Sequence, residues 1–258
     1  MSKKNNPQKK SSKKNTKNNK KNTKKILSIL LIMGIIIGAV LILFSDLFNV
    51  TKITVINNSK VGIEEIIQNS GITVGNNMFK FFKIKGQEAI KANPYIENVD
   101  IDRKLNGEII IEVKERIATF MLQKENGYIY INNQGYFLEE AQVVLPVPMI
   151  KGYKTEDLTI GNRLNVEDLK KLDIVIQIME AAKSKGIQNI ITTIDISDRN
   201  NFILEIPSEG KIVQFGNEEN ITVKMLWILD LLSREKGIEG EIVVNVEDIK
   251  KVYFREKV

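Results

Sequence analysis

An uninterrupted apolar run at residues 26–44 limits what this chain can fold into more than any other feature of the sequence. At about 1.5 Å of rise per residue, such a run is long enough to cross the hydrocarbon core of a bilayer as one helix. It is longer than the apolar part of a usual signal peptide, and residues 44–47 lack a small-x-small cleavage pattern. We therefore predict a retained transmembrane helix at 26–44 rather than a cleaved signal peptide.

The segment before this run predicts the orientation of the chain. Residues 1–25 contain eleven lysines, no acidic residue and many Asn and Ser. Such a low-complexity segment cannot bury a core, so we predict a disordered tail at 1–25. Because Lys and Arg stay preferentially on the cytoplasmic side, the tail is expected in the cytoplasm and everything after the helix outside it.

The basic charge does not indicate a nucleic-acid partner. The whole chain has a net charge of +6, but removing the eleven tail lysines from its 38 basic residues leaves 27 against 32 acidic residues, about −5. A nucleic-acid-binding domain carries its positive charge on a folded face. Here the charge lies in the tail, where lysines enforce topology and contact anionic membrane lipid. We expect no nucleic-acid binding.

The chain contains neither cysteine nor histidine. This excludes a disulfide framework, thiol nucleophiles, Ser-His-Asp triads and His/Cys zinc sites. Carboxylates, Ser-Lys pairs and carboxylate-bound metals remain as sources of chemistry.

The remaining catalytic patterns are weak. Ser233 and Lys236 match S-x-x-K, but they end a predicted helix, whereas the nucleophile of penicillin-recognising enzymes opens one. Paired acids such as Asp100 and Asp102, or the 139–140 pair, suggest a glycosidase only if two carboxylates flank one bond. Asp100 and Asp102 are expected on the solvated face of a strand. We predict no enzyme and no cofactor; a membrane-anchored exported enzyme acting on the cell wall is the alternative.

After the apolar run, the first 70 residues predict the order strand, helix, helix, strand, strand. A strand at 50–56 precedes a helix that Ser59 caps and Gly71 ends. A second helix at 84–92 ends before the Asn-Pro pair. Two alternating strands then flank Asn106 and Gly107, a pair typical of a type I′ hairpin turn.

Four stretches of this region, together with the basic tail and single span, resemble the FtsQ/DivIB family of bacterial cell-division proteins. They lie at residues 48–55, 75–79, 93–103 and 109–116. The resemblance implies a POTRA domain at 48–117. One departure is that the family often has Pro after the closing Glu-Arg, where this chain has Ile117 and Ala118.

The resemblance continues more loosely through a β-rich domain at 118–258. The two strands of a predicted hairpin flank residues 132–135, and a Pro-containing strand follows at 145–152. The patterns then predict a helix at 166–185 that Asn165 caps and Gly186 ends, and a second helix at 221–236. Strands are predicted at 190–196, 202–206, 211–215, 241–246 and 251–255. The fold class is thus α+β: one transmembrane helix, a β-α-α-β-β POTRA domain and a β-rich domain with two helices.

The resemblance implies a non-enzymatic scaffold of the division machinery, located in the cell membrane at the septum. Its implied partners are FtsL and DivIC/FtsB-like single-span proteins, with no small-molecule substrate. A strand near a chain end is often a sheet edge that accepts another strand. In the family this edge receives the DivIC/FtsB partner, which here implicates Ile242, Val244, Val246, Val252, Tyr253, Phe254 and Arg255. A POTRA chaperone for exported polypeptides fits less well, because such proteins repeat the module.

Gly34 and Gly38 lie on one face of the predicted transmembrane helix. This spacing permits close helix contact, although glycine is common in membrane spans without any such role. Partners that are themselves single-span proteins favour packing at these glycines.

Overall fold

The structure is a computed structural model that describes residues 16–124, 126–153, 158–245 and 251–257, with side chains from residue 24 onward. Its first helix, α1, spans Thr16–Leu43, and the segment Lys24–Leu43 is long and apolar enough to cross a membrane. The helix thus begins within the segment predicted to be disordered. A nucleated helix adds one hydrogen bond for each residue it orders, and Lys is a good helix former. Residues 1–15 lie outside the described residues.

The first domain after α1 contains a three-stranded sheet with two helices. The strand order is β1-β3-β2, with β1 parallel and β2 antiparallel to the central β3. Its core includes Ile66 of the first helix, Ile90 of the second and Ile109 of the central strand. The β-α-α-β-β order predicted from the sequence is therefore confirmed. The elements are β1 (Lys52–Ile56), α2 (Ile63–Ser70), α3 (Lys83–Lys91), β2 (Ile96–Arg103) and β3 (Glu108–Glu115).

Two local predictions in this domain are wrong. Gly62, and not Ser59, is the residue that precedes α2, and no side chain caps the helix there. The β2–β3 turn is not type I′, because Gly107 has a positive φ (88°) but Asn106 does not. The Gly107 N–H instead donates to the Lys104 carbonyl (3.0 Å), closing a four-residue loop. Gly107 also lies so close to Thr51 that a Cβ there would come within 2.8 Å of its side chain.

The second domain is a nine-stranded mixed sheet with two helices against it. The strand order is β12-β11-β10-β9-β8-β7-β4-β5-β6, and the pairs β4–β7, β7–β8 and β10–β11 are parallel. The Asn165 side chain accepts the N–H of Asp168 and caps α4, as predicted. The strands are β4 (Phe120–Lys124), β5 (Gly127–Ile131), β6 (Phe137–Ala141), β7 (Met149–Lys151), β8 (Thr193–Asp195), β9 (Phe202–Ile206), β10 (Lys211–Gly216), β11 (Gly240–Val243) and β12 (Tyr253–Glu256); the helices are α4 (Val166–Ser184) and α5 (Ile221–Arg234).

The sheet of the second domain contacts the first domain through β6. Leu138 of β6 is buried in the core of the first domain. The guanidinium of Arg116 lies 4.1 Å from the ring centroid of Tyr136, and Lys60 pairs with Glu139 at 3.0 Å. The two domains are therefore packed together, and not merely joined by the chain.

Glu115, the last residue of β3, holds the loop between β1 and α2. Its carboxylate accepts the backbone N–H groups of Ser59 (3.1 Å), Lys60 (2.7 Å) and Val61 (3.0 Å). Burial alone would raise the pKa of this carboxyl, but the three N–H donors outweigh burial and hold the pKa below its usual range. The ionised side chain thus replaces the missing cap of α2 as the anchor of this loop.

Glu115→Gln should loosen the 59–61 loop without changing its packing volume. Hydrogen bonds to a charged group are stronger than neutral ones, so we expect a loss of about 1.4 kcal/mol, or about tenfold faster amide exchange in this loop at pH 7. Hydrogen–deuterium exchange of the loop peptide measures it. Glu112→Gln is the matched control, because among the described residues the Glu112 carboxylate accepts only the Asn57 side chain (3.0 Å). Equal exchange in the two variants would contradict the anchoring role.

The same contact predicts a pH dependence. Because the folded-state pKa of Glu115 is lowered, its stabilisation is complete above the usual pKa of Glu and is lost as the pH falls through the lowered value. The protection of the loop amides should fall over that range in the wild type and stay flat in Glu115→Gln.

Candidate partner-binding edge

β12 lies at one end of the nine-stranded sheet. It pairs antiparallel with β11, with Val243 opposite Tyr253 and Gly240 opposite Glu256. Among the strands that the structure describes, no other pairs with β12. The prediction of a sheet edge near the end of the chain is therefore confirmed. Its role in binding stays a prediction.

The pairing of β12 determines which backbone groups face outward. The N–H of Lys257 donates to the Glu239 carbonyl at 2.9 Å. In an antiparallel ladder, hydrogen-bonded residues alternate with residues that point their N–H and C=O away from the partner strand. Arg255 therefore faces β11, whereas Phe254 and Glu256 direct their backbone groups to the open edge. This row of donors and acceptors is what an added strand requires.

The side chains of the predicted site fall into three groups. Ile242 and Val244 are fully buried in the core and present no side-chain surface at the edge, so their predicted contact with a partner stays a prediction. Val252 and Phe254 are partly buried against the same core. Tyr253, 43% exposed, and the exposed Arg255 are available. Val246 lies outside the described residues.

Gly240 allows β12 to lie close to β11. A Cβ at this position would collide with the carbonyl oxygen of Arg255 and come within 2.6 Å of the Phe254 ring. The Phe254 ring in turn lies 5.2 Å from the ammonium of Lys211. Phe254 can therefore pack on the sheet because Gly240 has no side chain.

Lys211 is a buried cation beneath this edge, with only 2% of its surface exposed. Its ammonium donates to the backbone carbonyls of Glu209 (3.0 Å), Glu235 (3.0 Å) and Ile238. Buried ammonium groups need such partners, because desolvation is costly. Lys211 thereby ties the end of α5 and the segment before β11 to the start of β10.

A groove of about 720 Å³ lies beside β12 at the starts of β10 and β11, and it reaches the face of the sheet away from the helices. Ile212, 44% exposed, lies on this face, and Arg255 pairs with Glu241 across it at 3.2 Å. The groove mixes both signs of charge with apolar surface. Its lining residues include Glu205, Pro207, Lys211, Glu239, Glu256 and Lys257.

The patterns considered for catalysis are each used locally in the structure. The Ser233 hydroxyl donates to the Asp230 carbonyl of its own helix (2.7 Å). Asp100 pairs with Lys83 at 2.7 Å, and this hydrogen-bonded ammonium holds the pKa of the Asp100 carboxyl below its usual range. A general acid requires the opposite shift. Within the described ranges, no group of acidic residues is arranged to hold a metal ion.

Gly34 and Gly38 are open on α1. A Cβ at either position would meet nothing within 4 Å. The structure thus leaves room for a neighbouring helix at this face, and packing there stays a prediction.

Comparison with known proteins accounts for both domains. The family model described as "POTRA domain, FtsQ-type" matches residues 48–116, the span of the first domain. The cell division protein DivIB of Clostridium botulinum is 30% identical over 215 residues, which cover 81% of this chain and 83% of that protein. The chain belongs to the FtsQ/DivIB family of cell division proteins.

Other relatives agree with this assignment. DivIB of Clostridium tetani is 27% identical over 203 residues, covering 77% of this chain and 76% of that protein. FtsQ of Syntrophotalea carbinolica is 25% identical over 181 residues, covering 69% and 64%. As a member of the FtsQ/DivIB family, the chain has a role in cell division, and its single N-terminal apolar helix fits a single-pass membrane protein.

Sequence reasoning missed two features of the candidate edge in this FtsQ/DivIB chain. The groove is lined by residues 205–212 together with residues 239–257, two segments that no local pattern brings together. The burial of Lys211 was also missed, although the lysine occupies an apolar position in the alternation of β10, which is the signal that predicts it.

Gly240→Ala should loosen β12 while leaving the rest of the sheet in place, because the added methyl group has no room beside Phe254. We expect faster amide exchange at residues 253–257, measured by hydrogen–deuterium exchange. Gly62→Ala is the control, since Gly62 also has extended backbone and a Cβ there meets only a Glu64 oxygen at 3.9 Å. Unchanged protection of β12 in Gly240→Ala would show that the close approach is not needed.

Proposed function

We propose that this chain is a non-enzymatic, single-pass scaffold of the division machinery. The lysine-rich tail lies in the cytoplasm, α1 crosses the cell membrane, and both domains lie outside at the division septum. There the second domain binds the exported segments of FtsL and DivIC/FtsB-like proteins and so supports septal wall synthesis. The observation that carries the proposal is the open edge of β12.

Strand addition is the mode of binding that this edge favours. The outward backbone groups of Phe254 and Glu256 supply hydrogen bonds, while side chains decide which strand is accepted. Tyr253 and Arg255 present an aromatic ring and a cation on the exposed face. Both residue types are frequent in binding hot spots. The groove beside them receives alternate side chains of the added strand.

The scaffold is favoured over a membrane-anchored wall enzyme by the local bonding of the catalytic candidates. Ser233 is bonded to its own helix, and the Asp100 carboxyl is paired with Lys83. The relatives described above are named as cell division proteins, and their names state no catalytic activity. We accordingly assign the chain an activity of association alone.

Glu256→Pro tests strand addition directly. Proline removes the one N–H that Glu256 points to the open edge, and edge strands tolerate proline at such positions. We expect binding of the host's exported DivIC/FtsB-like segment to weaken about three- to tenfold, the value of one net hydrogen bond. Pull-down and titration with the full-length chain measure it. Glu256→Ala, which removes the side chain and keeps the N–H, should bind as the wild type does.

Tyr253→Asp is the side-chain counterpart, because Tyr253 is exposed whereas the half-buried Phe254 supports the fold. It should weaken binding with β12 still protected from amide exchange. Full binding by both Glu256→Pro and Tyr253→Asp would move the partner site away from β12. If the wild type does not bind, the alternative of a membrane-anchored wall enzyme should be tested next by measuring wall hydrolysis.

Gly34→Leu with Gly38→Leu tests packing within the membrane. If single-span partners lie against this face, the two isobutyl groups should reduce co-purification of full-length FtsL-like protein from the membrane. They should leave binding of its soluble exported segment unchanged. Ala39→Leu with Leu43→Ala changes another part of the helix and serves as the control. Equal co-purification of the glycine variant and the wild type would show that the glycines only face lipid.

A further inference from the structure

The first domain is tied directly to the end of α1. The side-chain amide of Asn77, only 5% exposed, donates to the carbonyls of Leu43 (3.1 Å) and Ser45 (2.9 Å). The N–H of Met78 donates to the Phe48 carbonyl at 2.9 Å. Because these bonds fix the last turn of the helix to the domain, one end of the domain lies at the level where α1 leaves the bilayer.

Three large apolar side chains are exposed at this end. They are Leu47 (74% exposed), Phe82 (71%) and Leu105 (79%). We call these three residues the membrane-facing patch. Single exposed apolar residues are common, but three that share one end of a small domain indicate a contact.

The bonds of neighbouring residues place each of the three at this end of the domain. Leu47 belongs to the short 3-10 helix Asp46–Phe48 that directly follows α1. Leu105 is in the β2–β3 turn, and the neighbouring Gly107 carbonyl accepts the N–H of Thr51 at 2.8 Å. Phe82 precedes α3, next to Phe81, whose carbonyl accepts the Arg103 guanidinium at the end of β2 (3.0 Å).

Lysines lie beside Phe82 and Leu105 in this patch, whereas Asp46 is next to Leu47. Lys80 and Lys85 are exposed and have no ion-pair partner among the residues described, and the Lys85 ammonium lies 5.2 Å from the Phe82 ring centroid. Lys104 lies 3.9 Å from Asp102 in an exposed pair, and Lys83 pairs with Asp100. Surfaces that bind in the headgroup region of anionic membranes typically combine exposed apolar side chains with neighbouring lysines.

We propose that the membrane-facing patch inserts into the headgroup region of the bilayer that α1 spans, with Lys80 and Lys85 on anionic lipid phosphates. The contact fixes the tilt of the first domain and, through β6, the position of the β12 edge above the membrane. It concerns the leaflet at the Leu43 end of α1. The inference rests on α1 crossing the bilayer and is independent of the proposed partners.

The test uses nitroxide labels on the full-length chain, which has no cysteine of its own. Single labels at Phe82→Cys and Leu105→Cys are compared with Ile117→Cys, which is equally exposed (79%) but follows the opposite end of β3. Ile37→Cys within α1 reports insertion. The chain is reconstituted in phosphatidylcholine bilayers with and without phosphatidylglycerol, and accessibility to oxygen and to a water-soluble nickel chelate is measured.

We expect the labels at residues 82 and 105 to be several-fold less accessible to the nickel chelate than the label at 117, and accessible to oxygen. Phosphatidylglycerol should move both labels deeper into the bilayer. Lys80→Glu with Lys85→Glu should abolish that deepening, whereas Lys91→Glu at the far end of α3 should not.

Four results would overturn the inference. Labels at 82 and 105 as accessible to the chelate as the label at 117 would show a domain held clear of the bilayer. Protection from both reagents would show that protein covers the patch. Depth that is indifferent to phosphatidylglycerol would remove the role of the lysines. A label at residue 37 that lies outside the lipid would show that α1 does not cross the bilayer. This result would not depend on whether the proposed partners bind.

Discussion

The hydrogen bonding of an open β-sheet is the constraint on which this molecule depends. Such a sheet has two end strands, each with outward N–H and C=O groups that the sheet itself does not satisfy. Here β6, at one end, lies against the first domain through Leu138 and Tyr136. β12, at the other end, has no second neighbour among the described strands. At the β6 end the backbone of Phe137 also bonds to Gly161 and Asn162 of its own domain, so this end is covered whereas the β12 end is presented.

A series of polar anchors connects α1 to the first domain, and the first domain to the β6 end of the second domain's sheet. Asn77 bonds the end of α1, Glu115 holds the loop before α2, and the Arg116 guanidinium donates to Pro94 and Ile96 carbonyls while stacking on Tyr136. Each is a charged or amide side chain that binds backbone carbonyls or N–H groups, which fixes loops more firmly than exposed ion pairs do. The first helix, the first domain and the sheet of the second domain are thus held together by these bonds.

Much of the architecture could be predicted from local patterns, and the errors share one cause. Asn165 caps α4 as predicted, because a cap bonds a backbone group only three residues away. Ser59 fails as a cap because α2 begins only at Ile63, while Glu115, 56 residues later, holds Ser59 in the preceding loop. The Asn106–Gly107 pair takes a different turn because Gly107 packs on Thr51 of another strand. β4 escaped notice because its residues 120–122 are all buried, so they show no alternation.

The sequence by itself determined the long apolar helix, the order of the elements, the family and the absence of thiol and imidazole chemistry, since each depends on composition or local periodicity. Only the tertiary structure decided which side chains of the candidate edge are available. Alternation predicts that Ile242 and its neighbours point to opposite faces, but only packing against α4 and α5 shows that Ile242 and Val244 point inward. Exposure of Tyr253 and Arg255, the burial of Lys211 and the close approach at Gly240 follow from contacts between segments far apart in the chain, and local sequence does not encode such contacts.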